Sequence, residues 1–214
     1  MTDNPERAQV IAAARQTVSL GLTHGTSGNV SCRIPGGLLI TPTGMPYDEL
    51  TPADVVAIGL DGECRPGEVR RPSSEWRMHA ALYRARPDVG AVVHVHSPAA
   101  TAVACLGRDL PPFHYMIAAA GGDSVRCAGY ALFGTEALAD LAVAAMADRW
   151  ACLLAHHGLL AAGPTLDRAV AVAAEVEFLA EVYLRLLPLG EPARLDPDQM
   201  SAVIDRFRSY GQRG

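Results

Sequence analysis

The chain of 214 residues contains no lysine; all 18 of its basic residues are arginine. Chemistry that runs through a lysine amine is excluded, which removes Schiff-base enzymes, pyridoxal-phosphate enzymes and the P-loop nucleotide site. Any carbanion chemistry in such a chain needs another electron sink, and a metal ion is the obvious substitute. A basic surface is also missing, since the formal net charge is -5, and no apolar run of membrane-spanning length is free of charge. No nucleic acid and no membrane are therefore expected as partners. Residues 1–15 lack the basic-then-apolar pattern of a signal peptide. The five cysteines (Cys32, Cys64, Cys105, Cys127, Cys152) are odd in number and show no CxxC spacing. They read as reduced small hydrophobes in a cytoplasmic protein. What is present is ordinary for a folded soluble chain, 50% hydrophobic and 19% charged, and long enough for one domain over residues 1–214 with a sizeable core.

Punctuation along the chain divides it into elements. Asn4-Pro5 marks a helix start and Gly21 its stop, with Val10, Ile11, Ala14 and Val18 on the buried face. "GNVSCRI" alternates Val30, Cys32 and Ile34 on one face, turns at "PGG" and returns as "LLIT". "VVAIGL" is a strand closed by Asp61-Gly62. Ser73 or Ser74 caps a helix running to about Arg86. "GAVVHVHS" is a buried strand, followed by a short helix from Pro98 to about Leu106. The stretch around "PPFHYMIAAAGG" is irregular. Thr135 caps a helix to about Arg149, "ACLLAHHGLLAAG" is strand-like, Thr165 caps a long helix ended by Pro188, and Asp196-Pro197 starts a last helix to about Tyr210. Strands in hairpin-like and helix-separated groups predict a mixed or antiparallel sheet with helices on both faces.

Four constellations could carry chemistry. His94 and His96 are two apart in a strand, so both rings project from one face. "AHHGLL" supplies His156 and His157, of which at most one should join them if the run is a strand. Three imidazoles with an open fourth position make a catalytic zinc site, and hydrogen-bonded core histidines are the alternative reading. Ser73-Ser74-Glu75 at a helix start offers hydroxyls and free N–H groups to a phosphate, although a plain cap with a dipole-matched glutamate looks the same. "GTSGNVS" and "TPTG" put hydroxyls, an amide and glycines in turns where backbone N–H groups can converge on an anion, or simply close hairpins. Nothing in the spacing of Tyr115, Phe133, Phe207 and Tyr210 separates them from core aromatics.

Taken in order, "GTSGNVS", "LLITPTGMPYDEL", "PSSEWRMH", "AVVHVHS", "FHYMIAAAGG", "YALFGT", "HHGLLA" and "FRSYG" resemble the class II aldolase/adducin family, and most of all its fuculose-1-phosphate aldolases. The likeness runs from about Arg7 to Tyr210. Ser27 stands where these aldolases usually carry alanine, and "PAA" follows the HVHS strand where they carry other residues. The resemblance implies a three-layer α/β/α fold with a central, mostly antiparallel sheet, assembled as a homotetramer with active sites between subunits. It implies one Zn2+ per subunit on His94, His96 and His157, with Glu75 a ligand in the empty enzyme and the base once substrate binds. Phosphate binders then match Thr26, Asn29, Thr43, Gly44, Ser73 and Ser74. Tyr115 matches a tyrosine that serves a neighbouring subunit's site, and Phe133, Phe207 and Tyr210 match the aldehyde pocket. The implied reaction is retro-aldol cleavage of a sugar phosphate, a ketose 1-phosphate such as L-fuculose 1-phosphate, to dihydroxyacetone phosphate and an aldehyde. The ribulose-5-phosphate 4-epimerase branch of the family typically has aspartate where this chain has Glu75, and adducin-like scaffolds lack the full histidine set. Both differences favour cleavage.

Overall fold

The computed structural model describes residues 5–209. Its strands are β1 (Asn29–Ile34), β2 (Gly37–Ile40), β3 (Val56–Gly59), β4 (Ala91–Val95), β5 (Arg126–Ala128), β6 (Ala151–Leu154) and β7 (Gly158–Gly163). They form one sheet in the order β3-β2-β1-β4-β7-β6-β5. Every neighbouring pair is antiparallel except β5 and β6, which run parallel. The helices are α1 (Pro5–Ser19), α2 (Trp76–Ala85), α3 (Pro98–Cys105), α4 (Glu136–Ala145), α5 (Leu166–Leu186) and α6 (Pro197–Ser209). The segment read as irregular contains a 3-10 helix, Tyr115–Ala120.

Both faces of the sheet are covered, which explains why the central strand β4 is apolar on both faces up to His94 rather than alternating. Ala91, Val93 and Val95 face one core with residues of α1, α3 and α5. Val92 faces a second core with residues of α2 and α4. Burying a valine or leucine fully is worth roughly 1.5–3 kcal/mol, so a strand built this way is a firm base for polar residues at its end. The odd and even positions fix the address of the site: His94 and His96 share the parity of Val92 and therefore the α2 side. The register extends this to β1, where Asn29 pairs with His94 and Ser31 with Val92.

α5 presents Ala169, Val170, Ala173, Val176, Leu179, Ala180 and Tyr183 at helical spacing as a buried stripe. Thr165 caps it by accepting the Arg168 N–H. From the same helix the Glu177 carboxylate accepts the Ala99 and Ala100 N–H groups, each at 2.8 Å. Those donors would otherwise be orphans at the start of α3, and a carboxylate there is favoured by the helix dipole. The turn that directly follows His96 is thereby held from behind.

Several expected boundaries and contacts move. Val18 is 47% exposed, while Val10, Ile11 and Ala14 are buried as expected. α2 begins at Trp76 with Glu75 as its N-cap residue; neither Ser73 nor Ser74 takes that place, and Ser73 Oγ instead accepts the Glu75 N–H at 3.3 Å. α4 ends at Ala145, short of Arg149. The run "ACLLAHHGLLAAG" is two strands joined by a tight turn, in which His156 adopts φ 56°. Both arms are apolar because both are interior strands, so hydropathy alone does not reveal the turn between them.

Candidate metal centre

Three elements deliver the cluster. β4 and the residue just past its end supply His94 and His96, the turn between β6 and β7 supplies His157, and the residue before α2 supplies Glu75. One ligand atom from each lies within 4.8 Å of every other. His94 Nε2 is 3.0 Å from His96 Nε2 and 3.2 Å from Glu75 Oε2, and His157 Nε2 is 3.3 Å from Glu75 Oε1. The three imidazole rings meet edge to face with centroids 4.7–4.9 Å apart. His94 is wholly buried, and its Nδ1 donates to the Leu159 carbonyl at 2.9 Å, which aims Nε2 into the cluster.

This arrangement fits a divalent cation on its own chemistry. A tetrahedral site with bonds of about 2 Å sets its donors about 3.3 Å apart, close to the spacings seen here. Converging imidazole lone pairs repel one another unless a cation sits between them. Burial, and then the neighbouring His94, holds His96 and His157 at about 4, so both are neutral and ready to ligate at neutral pH. Burial alone would raise the Glu75 carboxyl, but His94, His157 and the Asn29 amide outweigh it and hold it at about 2. Glu75 Oε1 is nevertheless a buried oxygen without a hydrogen bond. An orphan carboxylate oxygen beside three lone-pair nitrogens is costly unless a cation or substrate engages it.

A cavity of about 400 Å³ opens over the cluster, lined by Thr26, Asn29, Thr43, Gly44, Ser73, Ser74, Glu75, His96, Phe133 and His157 among others. The residues expected to hold phosphate thus converge on one space beside the expected metal ligands. Among the described residues, no arginine lines this cavity. An anion placed there meets neutral donors: hydroxyls, the Asn29 amide, turn N–H groups and the N-terminal end of α2. Gly28, at φ +88°, and Gly44, at φ +69°, let the two loops curl back on the cavity.

The aromatic residues divide. Phe133, 60% exposed, lines this cavity. Tyr115, 52% exposed, and Phe207 line a different groove with Arg168 and Glu175. Within one chain the structure does not bring them to the histidines. Tyr210 lies outside the described residues. Of the two adjacent histidines only His157 joins the cluster; His156 lines the cavity and packs its ring edge against Tyr130. His114 is a local cap, its Nδ1 accepting the Met116 N–H. Tyr130, which lines the cavity, and His79, buried behind Glu75, belong to the site without having been expected there. Only His79 left a signal: four residues after Glu75, it faces the same way along a helix.

The site is that of a metal-dependent enzyme acting on an anionic substrate, and comparison with known proteins narrows this. Residues 8–184 match the family described as Class II Aldolase and Adducin N-terminal domain. The chain is 53% identical over 205 residues to a 5-methylthioribulose-1-phosphate/5-deoxyribulose-1-phosphate aldolase of Rhodospirillum rubrum, covering 96% of this chain and 92% of that one. It is 46% identical over 214 residues to the L-fuculose phosphate aldolase of Escherichia coli strain K12, covering 100% and 99%. A solved L-fuculose 1-phosphate aldolase superposes with a TM-score of 0.92 at 39% identity, covering 97% and 98%. The chain belongs to the class II aldolase/adducin family.

Proposed function

We propose that this protein is a zinc-dependent lyase that cleaves a ketose 1-phosphate, L-fuculose 1-phosphate or a related deoxyketose 1-phosphate, to dihydroxyacetone phosphate and an aldehyde. The observation that carries the proposal is the convergence of Glu75, His94, His96 and His157 on one point beside a cavity of neutral phosphate donors. The names of the relatives supply the substrate class. When bound, a divalent cation on the three imidazoles supplies Lewis-acid stabilisation of negative charge on the substrate oxygens.

The protein's own groups do the rest. Thr26, Asn29, Thr43, Gly44, Ser73 and Ser74 hold the phosphate and so fix the reacting carbons above Glu75, an orientation effect that lowers the barrier. Cleavage breaks the C3–C4 bond: the C4 hydroxyl loses its proton as the aldehyde forms, and C3 gains one. Glu75 Oε1, which has no protein hydrogen bond, is the atom placed to carry the proton to C3. Tyr115, contributed by a neighbouring copy, serves the aldehyde oxygen, and Phe133, with Phe207 and Tyr210 of a neighbouring copy, borders the aldehyde group. The exposure of Tyr115 and its separation from the cavity within one chain support this reading. The homotetramer that the family resemblance implies is the assembly we propose for the active form. No helix among the described residues is long and apolar enough to cross a membrane; the cytoplasmic location is proposed on the likeness to bacterial sugar-phosphate aldolases.

The test is incubation of the metal-loaded protein with L-fuculose 1-phosphate and with 5-deoxyribulose 1-phosphate, following release of dihydroxyacetone phosphate. Release from at least one is expected. Failure with both would remove the proposal.

A further inference from the structure

Behind Glu75 runs a line of buried polar groups, from Asn29 through His79 and Ser31 to Tyr83, the last three of which the chemistry above leaves unused. Asn29 Nδ2 donates to Glu75 Oε2 at 3.1 Å. The other end of that amide, Asn29 Oδ1, is 2.5 Å from His79 Nε2. His79 Nδ1 is 2.6 Å from Ser31 Oγ, and Ser31 Oγ is 2.8 Å from the Tyr83 hydroxyl. Ser31 and His79 are wholly buried, Tyr83 is 1% exposed and Asn29 2%. The line spans β1 and α2 and ends at the candidate proton carrier.

The donors in this line can be assigned by elimination. An ionised Glu75 only accepts, so the Asn29 amide must turn its nitrogen to Glu75 and its oxygen inward. That oxygen also only accepts, so His79 Nε2 must bear the proton. Burial pushes His79 down to about 3, so the ring is neutral and Nδ1 is a lone pair. Ser31 must then donate to Nδ1, and Tyr83 must donate to Ser31. Every hydrogen bond points the same way, from Tyr83 toward Glu75, with no proton left over and none missing.

We propose that His79 is a positioning residue: its Nε2–H grips the Asn29 side-chain oxygen and so locks the Asn29 amide with its N–H groups toward Glu75 and the cavity. This rests on the reading of Glu75 as proton carrier and Asn29 as phosphate donor. Asn29 carries two N–H groups; one meets Glu75, and the residue lines the cavity, where the other serves a phosphate oxygen. Without the grip the amide can flip. Its oxygen would then face both the carboxylate and the substrate anion, and both would be repelled. Loss of the grip therefore raises KM and lowers kcat together, in the range of about 10- to 100-fold seen when groups supporting ligands and catalytic residues are removed.

The experiment has two arms. In the zinc-loaded full-length protein with 15N-labelled histidine, NMR is expected to show His79 protonated at Nε2, bare at Nδ1, and unchanged from pH 6 to pH 8. A proton on Nδ1, or a charged ring, overturns the proposal. In the kinetic arm, His79→Leu is expected to lose about 10- to 100-fold in kcat/KM with KM raised, while His79→Gln, whose amide N–H can reach the same oxygen, recovers most of the loss. A filler role would lower the melting temperature of both variants and leave their kinetics alike. A folded His79→Leu with wild-type kinetics, or a His79→Gln as impaired as His79→Leu, also overturns it. If His79→Leu fails to fold, the tautomer and the His79→Gln kinetics decide. A wild-type protein inactive on both ketose phosphates would sink the functional reading instead, leaving the tautomer to decide this one.

Discussion

A methyl group placed on Gly28 would stand 2.6 Å from the carbonyl oxygen of His94. The obstacle is backbone, not a side chain that can swing away, and it belongs to a strand hydrogen-bonded on both edges, by β1 and β7. Gly28 also sits at φ +88°, where an L-residue costs roughly 1–2 kcal/mol. The close approach lets β1 begin against β4 and brings Asn29 opposite His94. Gly28→Ala should therefore push the start of β1 away, lowering stability by about 1–3 kcal/mol and kcat/KM by at least about 10-fold. Gly25→Ala is the control, since a methyl there meets nothing within 4 Å at a similar φ of +61°. Thermal melts and initial rates on both variants check this. Equal activity in the two would show that the approach does not matter.

Glu75→Gln removes the proton carrier and keeps the shape. A positioned acid or base is worth roughly 10²- to 10⁴-fold, so kcat should fall within that range while a trace of activity persists. Metal content should stay near that of the wild type, because three imidazoles remain. A variant with unaltered kcat would remove Glu75 from the chemistry.

Much of this site was legible in the sequence, for reasons the structure makes plain. The two-residue repeat of a strand fixes His94 and His96 on one face whatever the rest of the fold does. Gly, Ser and Thr in short loops advertise donors. The hairpin turn at His156 was not legible, because apolar strands on both sides hide it. The two faces of a strand led to the expectation that at most one of His156 and His157 would join the cluster, with His157 implied by the family resemblance alone; the structure brings His157 there and parts the pair by a turn rather than by strand alternation. Tyr115 and Phe207 line a groove separate from the histidine cavity of their own chain, and nothing in their spacing announced that separation. Nor did the role of His79 stand out, since its meaning depends on strand β1 supplying Asn29 and Ser31 from far along the chain.

Metal removal should abolish turnover. With no lysine to act as an alternative electron sink, stripping the ion leaves only positioning and Glu75. A chelator should take activity below detection, and added zinc should restore it at about one equivalent per chain. His96→Ala should weaken metal binding by about 10- to 100-fold, read by titration with a competing indicator. A chelated sample that still releases dihydroxyacetone phosphate would refute the mechanism.

Tyr115 and Glu75 should complement each other across copies. If Tyr115 serves a neighbour's site, Tyr115→Phe should lower kcat by roughly 10²-fold. Co-refolding that variant with Glu75→Gln, itself nearly inactive, should return part of the wild-type rate, because some sites in the mixed assembly then hold both intact residues. No gain on mixing would place each site within one chain.

The metal-free protein should lose stability as pH falls from about 6.5 to 4.5. Burial holds His79 at about 3, and His96 and His157 at about 4, all below the ordinary histidine value near 6.5 that the unfolded chain recovers. Below that value the unfolded state takes up protons that the folded state refuses, so acid favours unfolding. For fully buried His79 the slope approaches about 1.4 kcal/mol per pH unit. Glu75 adds its own share only further down: its folded value of about 2 lies below the ordinary glutamate value near 4.3, so its contribution is intact above that point and fades below it. Urea denaturation of the stripped protein at pH 7, 6 and 5 would trace the histidine limb alone. His79→Gln should flatten it by about one proton's worth, and identical slopes in the two proteins would mean that His79 is not the neutral buried ring the fold describes.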